Sequence, residues 1–152
     1  MRKLILAALV LVACAKTDDA AVDTTAVVEP AALTPVQSMY VGTWNGRSHR
    51  TGAAASDTGS AWTMTFTAAD TGLTGTLRLS GQTTDIPIRV EEANHSSMRS
   101  SFGPYASPVA GNAEVSTTTD GRMDGDSLFG TFVATPTAGG SAINGRFVAR
   151  KQ

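Results

Sequence analysis

Residues Trp62-Thr63-Met64-Thr65-Phe66-Thr67 and Leu73-Thr74-Gly75-Thr76-Leu77-Arg78-Leu79 alternate apolar and polar side chains with a period of two. Successive side chains of a strand point to opposite faces, so each run reads as a strand with one face in a core and one in water. Between them, Ala69-Asp70-Thr71-Gly72 supplies turn residues that fold the second run back on the first. The same phase returns in Ile86, Ile88 and Val90, in Leu128, Phe132 and Ala134, and in Ile143, Phe147 and Ala149. No window of helical length in this part of the chain shows a 3.6-residue period.

Working outward, Gly81-Gln82, Asp120-Gly121 and Ala138-Gly139-Gly140 are further turn signals. They divide the chain into eight expected strands, at 40–49, 60–68, 73–80, 85–92, 96–103, 112–118, 122–135 and 142–150. The fold class is therefore all-β: an antiparallel up-and-down meander of about eight strands, forming a small closed or partly open barrel. Closure removes the exposed edges that a flat meander leaves. The fifth and sixth strands have the weakest pattern, because Ser96 to Ser101 is polar and Pro104 and Pro108 break the run after it. Loss of either leaves a half-barrel or a two-sheet sandwich. Three strands share a motif in which apolar residues flank a glycine on one face: Leu73-Gly75-Leu77, Leu128-Gly130-Phe132 and Ile143-Gly145-Phe147. A mid-strand glycine permits a sharp bend or the close approach of another strand; proximity to a ligand is the alternative.

The chain has 152 residues, 12 Lys+Arg, 13 Asp+Glu, two His and one Cys, enough for one domain and with no basic stripe for nucleic acid. Every aromatic residue lies between Tyr40 and Phe147, which places the core there. Residues 15–36 are mostly Ala, Thr, Val and Asp with Pro30 and Pro35, and cannot bury enough surface to offset their ordering entropy. They read as an acidic tether carrying Asp18, Asp19, Asp23 and Glu29 against Lys16, spanning roughly 25 Å as a coil. Residues 37–152 form the expected barrel domain.

At the start, Arg2 and Lys3 precede an apolar run from Leu4 to Val12, a secretory signal too short to span a bilayer as a helix. Its last four residues, Leu11-Val12-Ala13-Cys14, resemble the lipobox of bacterial lipoproteins. The resemblance implies a signal peptide at 1–13 and a mature chain that starts at a diacylglyceryl-modified Cys14. Residues 14–36 are then a lipidated tether, and the partner implied is a membrane of the bacterial envelope. Ala15, rather than Asp, favours the outer over the inner membrane under the sorting pattern of enteric bacteria. With Cys14 acylated, no thiol remains for a disulfide or a zinc cluster.

The domain opens Val41-Gly42-Thr43-Trp44-Asn45-Gly46, and Gly-x-Trp on a first strand resembles the opening of lipocalins and the avidin group, both eight-stranded barrels. The resemblance implies that Trp44 plugs one barrel end and that Arg150, or else Arg146, packs over its ring. Biotin binding is not implied, since that site stacks several Trp residues and only Trp44 and Trp62 exist here. The design also looks like that of small exported lipoproteins whose barrels inhibit proteases or lysozyme.

Catalytic patterns are missing: there is no Gly-x-Ser-x-Gly, Ser-x-x-Lys or His-Glu-x-x-His. His49 and His95 stand alone as loop residues. Glu91 and Glu92 alternate along a strand and are expected on opposite faces, where they cannot act together. Asp120-Gly121-Arg122-Met123-Asp124-Gly125-Asp126 fails the EF-hand spacing and reads as turn chemistry. The expectation is a monomeric, non-enzymatic binding module without cofactor or metal, for a small apolar ligand or an envelope partner. An inhibitor of an envelope or host hydrolase is the alternative.

Overall fold

A computed structural model describes residues 32–152. Cys14, the signal segment and the tether as far as residue 31 lie outside the described residues. A short helix α1 (Pro35–Tyr40) precedes eight strands: β1 (Gly42–Arg50), β2 (Ser60–Ala69), β3 (Gly72–Leu79), β4 (Ile86–Ala93), β5 (Ser97–Ser107), β6 (Ala113–Asp124), β7 (Ser127–Pro136) and β8 (Ile143–Lys151). Each strand pairs antiparallel with its sequence neighbour, and β8 returns to β1, closing the barrel. The expected meander is thus the observed one, including β5 and β6, which pair from Ser97↔Arg122 to Ser107↔Ala113.

Alternation decides what lies inside. Trp62, Met64 and Phe66 on β2, Leu73, Leu77 and Leu79 on β3, and Phe147 and Ala149 on β8 are buried, while the threonines and arginines between them face outward. An eight-stranded barrel has an interior just wide enough to be filled by side chains. Four large rings lie opposite glycines: Trp62 pairs with Gly46, Phe66 with Gly75, Phe132 with Gly145 and Phe147 with Gly130. A methyl group at Gly75 would stand 2.7 Å from the Phe66 ring, and one at Gly145 would overlap both the Phe132 ring and the His49 carbonyl. The repeated glycine motif therefore makes room for the protein's own rings and for strand contact.

Three local readings change. Asp120-Gly121 is not a turn: β6 continues to Asp124 and turns at Gly125, whose φ is +56°. Gly121 is inward, where a side chain would meet Leu128 at 3.1 Å and Phe147 at 3.3 Å, so its glycine serves packing and not reversal. Glu91 and Glu92 do not take opposite faces, because a bulge between Val90 and Glu92 leaves both exposed. Helix α1 begins at Pro35, inside the segment read as tether. Its signal is a capping box: Thr34 Oγ1 accepts from Gln37 N–H at 3.2 Å, Gln37 Oε1 accepts from Thr34 N–H at 2.8 Å, and Pro35 stands at the first helical position.

Helix α1 closes one end of the barrel. The Gln37 amide donates to the carbonyls of Ala69 and Gly72 in the β2–β3 turn, and the Tyr40 hydroxyl donates to the Asn94 carbonyl in the β4–β5 turn at 2.8 Å. Burial holds the Tyr40 phenol above its ordinary pKa of 10.0. Above about pH 10 the unfolded chain therefore releases this proton before the folded one does, and stability present below that pH is lost as pH rises. Denaturation followed from pH 8 to 11 should show that fall, and Tyr40→Phe should reduce it while costing about 1 kcal/mol for the lost hydrogen bond. Gly145→Ala, measured by urea unfolding, should cost on the order of 3 kcal/mol, since ring and backbone must both move.

Candidate functional site

Trp44 is fully buried at the closed end, and its Nε1 donates to the Tyr40 carbonyl at 2.8 Å. The eight-stranded antiparallel barrel around it is consistent with a lipocalin-like fold. The cation over its ring is not Arg150. On β8 the inward phase runs Gly145, Phe147, Ala149, Lys151, so Arg150 turns outward opposite Asn45 and Arg146 outward opposite His49. Lys151, paired with Trp44, sets its Nζ 5.7 Å from the ring centroid. The same ammonium donates to the Ser38 carbonyl at 3.2 Å and the Met39 carbonyl at 2.9 Å, tying the last strand to the end of α1. This end is a structural joint.

At the opposite end, among Trp62, Tyr105, Val109, Phe132 and Phe147, lies a cavity of about 50 Å³. That is room for a few heavy atoms, far below the usual 300–1,000 Å³ of a small-molecule site. Its polar atoms are largely committed to each other: Trp62 Nε1 donates to Ser48 Oγ at 2.7 Å, Tyr105 shares a hydrogen bond with Thr117 at 3.0 Å, and Ser100 with Thr119 at 2.7 Å. The buried polar side chains among the described residues are Ser100, Ser107, Thr117 and Thr119, with no carboxylate, imidazole or amine among them. Hydroxyls without a neighbouring base offer hydrogen bonds but no acid–base pair.

The remaining sequence candidates are separated in space. His49 lies on the outside of β1 with Nδ1 4.0 Å from Asp57, and His95 is exposed in the β4–β5 turn. Asp120 is taken by Arg99 at 2.8 Å, a bond that raises the Arg99 pKa, with the Glu92 and Glu91 charges adding to it. Asp85 is held below its ordinary value by the two-pronged bond from Arg78, at 2.7 and 2.8 Å. Among the described residues, no three His, Cys, Asp or Glu converge as metal ligands.

The outer wall carries a feature that the reading of inward faces passed over. Phe129, Val133 and Val148 are 42, 38 and 49% exposed, apolar residues in the outward phase of β7 and β8. Register places Arg122, Phe129, Val148 and Arg47 in one row across β6, β7, β8 and β1. Arg146 and Arg150 stand on either side of Val148 along β8, both outward. The visible signal in the sequence is an apolar residue out of phase, but the row exists only once β8 meets β1.

No family model, curated protein or solved structure matches this chain.

The two adjacent cations separate cleanly in stability measurements. Lys151→Met should lower stability by about 1–3 kcal/mol, through lost charge-assisted bonds and ring contact. Arg150→Ala, outward and without an ion pair among the described residues, should stay within about 0.5 kcal/mol of the parent.

Proposed function

We propose that this chain is a lipoprotein of the bacterial cell envelope, anchored through Cys14 and working as a non-catalytic binding module for an envelope partner. The carrying observation is the contrast between a filled interior and an outer wall that exposes Phe129 and Val148 among four arginines. Phe129 and Val148 are direct cross-strand neighbours, so their exposed apolar surface is contiguous and suits a contact with a partner. The buried hydroxyls of Ser100, Ser107, Thr117 and Thr119, with no carboxylate, imidazole or amine buried beside them, further support binding over catalysis.

A small apolar ligand is the second reading, favoured by the cavity beneath Val109. At about 50 Å³ it accommodates only a short aliphatic tip of a few heavy atoms. The outer membrane is the proposed address, on the strength of Leu11-Val12-Ala13-Cys14 followed by Ala15.

Expression of the full chain in a bacterial host tests the anchor. The protein should fractionate with membranes carrying acyl chains on Cys14, and Cys14→Ser should leave the precursor uncut. A membrane-bound protein processed elsewhere overturns the anchor. Native mass spectrometry should return the mass of the acylated chain alone, whereas a copurified small molecule favours the ligand reading.

A further inference from the structure

The geometry points to the outer face of β6, β7, β8 and β1 as a surface that lies against an anionic phospholipid bilayer. Phe129 and Val148 are direct cross-strand neighbours at its centre, and Val133 follows on β7. Arg122 and Arg47 close the row on either side, and Arg146 and Arg150 bracket it along β8. The outward positions of β7, β8 and β1, from Phe129 through Thr131 and Val133, Asn144 to Arg150, and Thr43 to His49, include no carboxylate. Arg47 donates one guanidinium bond to the Thr58 carbonyl at 2.8 Å; among the described residues none of the four arginines is in an ion pair. On β6 the outward Asp120 and Asp124 flank Arg122; Asp120 is paired with Arg99, and Asp124 borders the face at the β6–β7 turn.

A soluble anion would use these arginines and leave the apolar pair in water. An anionic bilayer uses both, placing phosphates at the guanidinium groups and the acyl boundary under Phe129 and Val148. The convex barrel wall meets a flat surface along such a narrow strip. The inference rests in part on the anchor at Cys14, which brings the chain to lipid. Chain from Cys14 enters the barrel through α1, at the end where Arg150 adjoins Lys151 and its bonds to that helix.

The test uses the full chain reconstituted into vesicles of phosphatidylcholine alone, or of an equal mixture with phosphatidylglycerol, with lipids brominated in their acyl chains as quenchers. Two reporters are compared with the parent: Thr131→Trp, outward on β7 between Phe129 and Val133, and Arg89→Trp, outward on β4 across the barrel. Thr131→Trp should be quenched on the anionic vesicles and not the neutral ones, and Arg89→Trp on neither. Raising the salt should relieve the quenching, and Arg122→Gln with Arg146→Gln should weaken the contact on the order of tenfold. Equal quenching on both vesicles, or of both reporters, overturns the proposal. A chain held by both vesicles with Thr131→Trp unquenched on the anionic ones overturns the face and keeps the anchor. A chain that leaves neutral vesicles but stays on anionic ones with Thr131→Trp quenched overturns the anchor and keeps the face.

Discussion

Aromatic rings laid across glycines set the bore of this barrel. Trp62 over Gly46, Phe66 over Gly75, Phe132 over Gly145 and Phe147 beside Gly130 each put a large side chain where the facing strand contributes only hydrogen. With alanine at Gly46, Gly75 or Gly145 the facing ring loses the volume it occupies, and at Gly130 the methyl would meet the Asp120 carbonyl, so rings or sheet must move. The strongly curved, filled interior follows from that pairing. So does its limited capacity: four rings and the Leu, Ile and Met side chains around them leave a cavity of about 50 Å³ at one end.

A filled barrel still has two ends, and they differ. At one end Trp44, Tyr40 and Lys151 form a joint in which α1, the first strand and the last strand hold one another. The ammonium of Lys151 serves the ring and two helix carbonyls together, which explains why the cation is the inward residue of β8 and not the neighbouring arginine. At the other end the turn at Pro108–Ala110 packs Val109 and Ala110 near Phe132, and hydroxyls pair across β5 and β6. Satisfied hydroxyls stabilise that end without leaving donors that would orient a ligand strongly.

Charge is placed by the same alternation that places the core. Both arginines on β8 are outward, as are Arg47 on β1 and Arg122 on β6. Acids away from that face are Glu91 and Glu92 at the bulge and Asp85 beside Arg78, while Asp124 and Asp126 border it at the β6–β7 turn. A nearly neutral domain is thus polarised around its circumference, with an apolar pair at the centre of the basic side. Binding at the outer wall follows from this distribution more readily than binding within.

The period of two, read from Trp62 to Leu79 and repeated in later segments, determined most strands and their inward residues, because a strand's two faces are written directly into neighbouring positions. Helix α1 carried a readable signal in Thr34, Pro35 and Gln37, although six residues are too few for a helical period. Gly121 was ambiguous, since Asp-Gly suits a turn and also suits an inward position under Leu128 and Phe147. The bulge at Val90–Glu92 has no local signature and appears only as a register shift against β5. Closure belongs to the tertiary structure. It brings Arg47 beside Val148 and Lys151 beside Trp44, partners about a hundred residues apart in the chain, and no local pattern specifies which strands meet when a meander becomes a barrel.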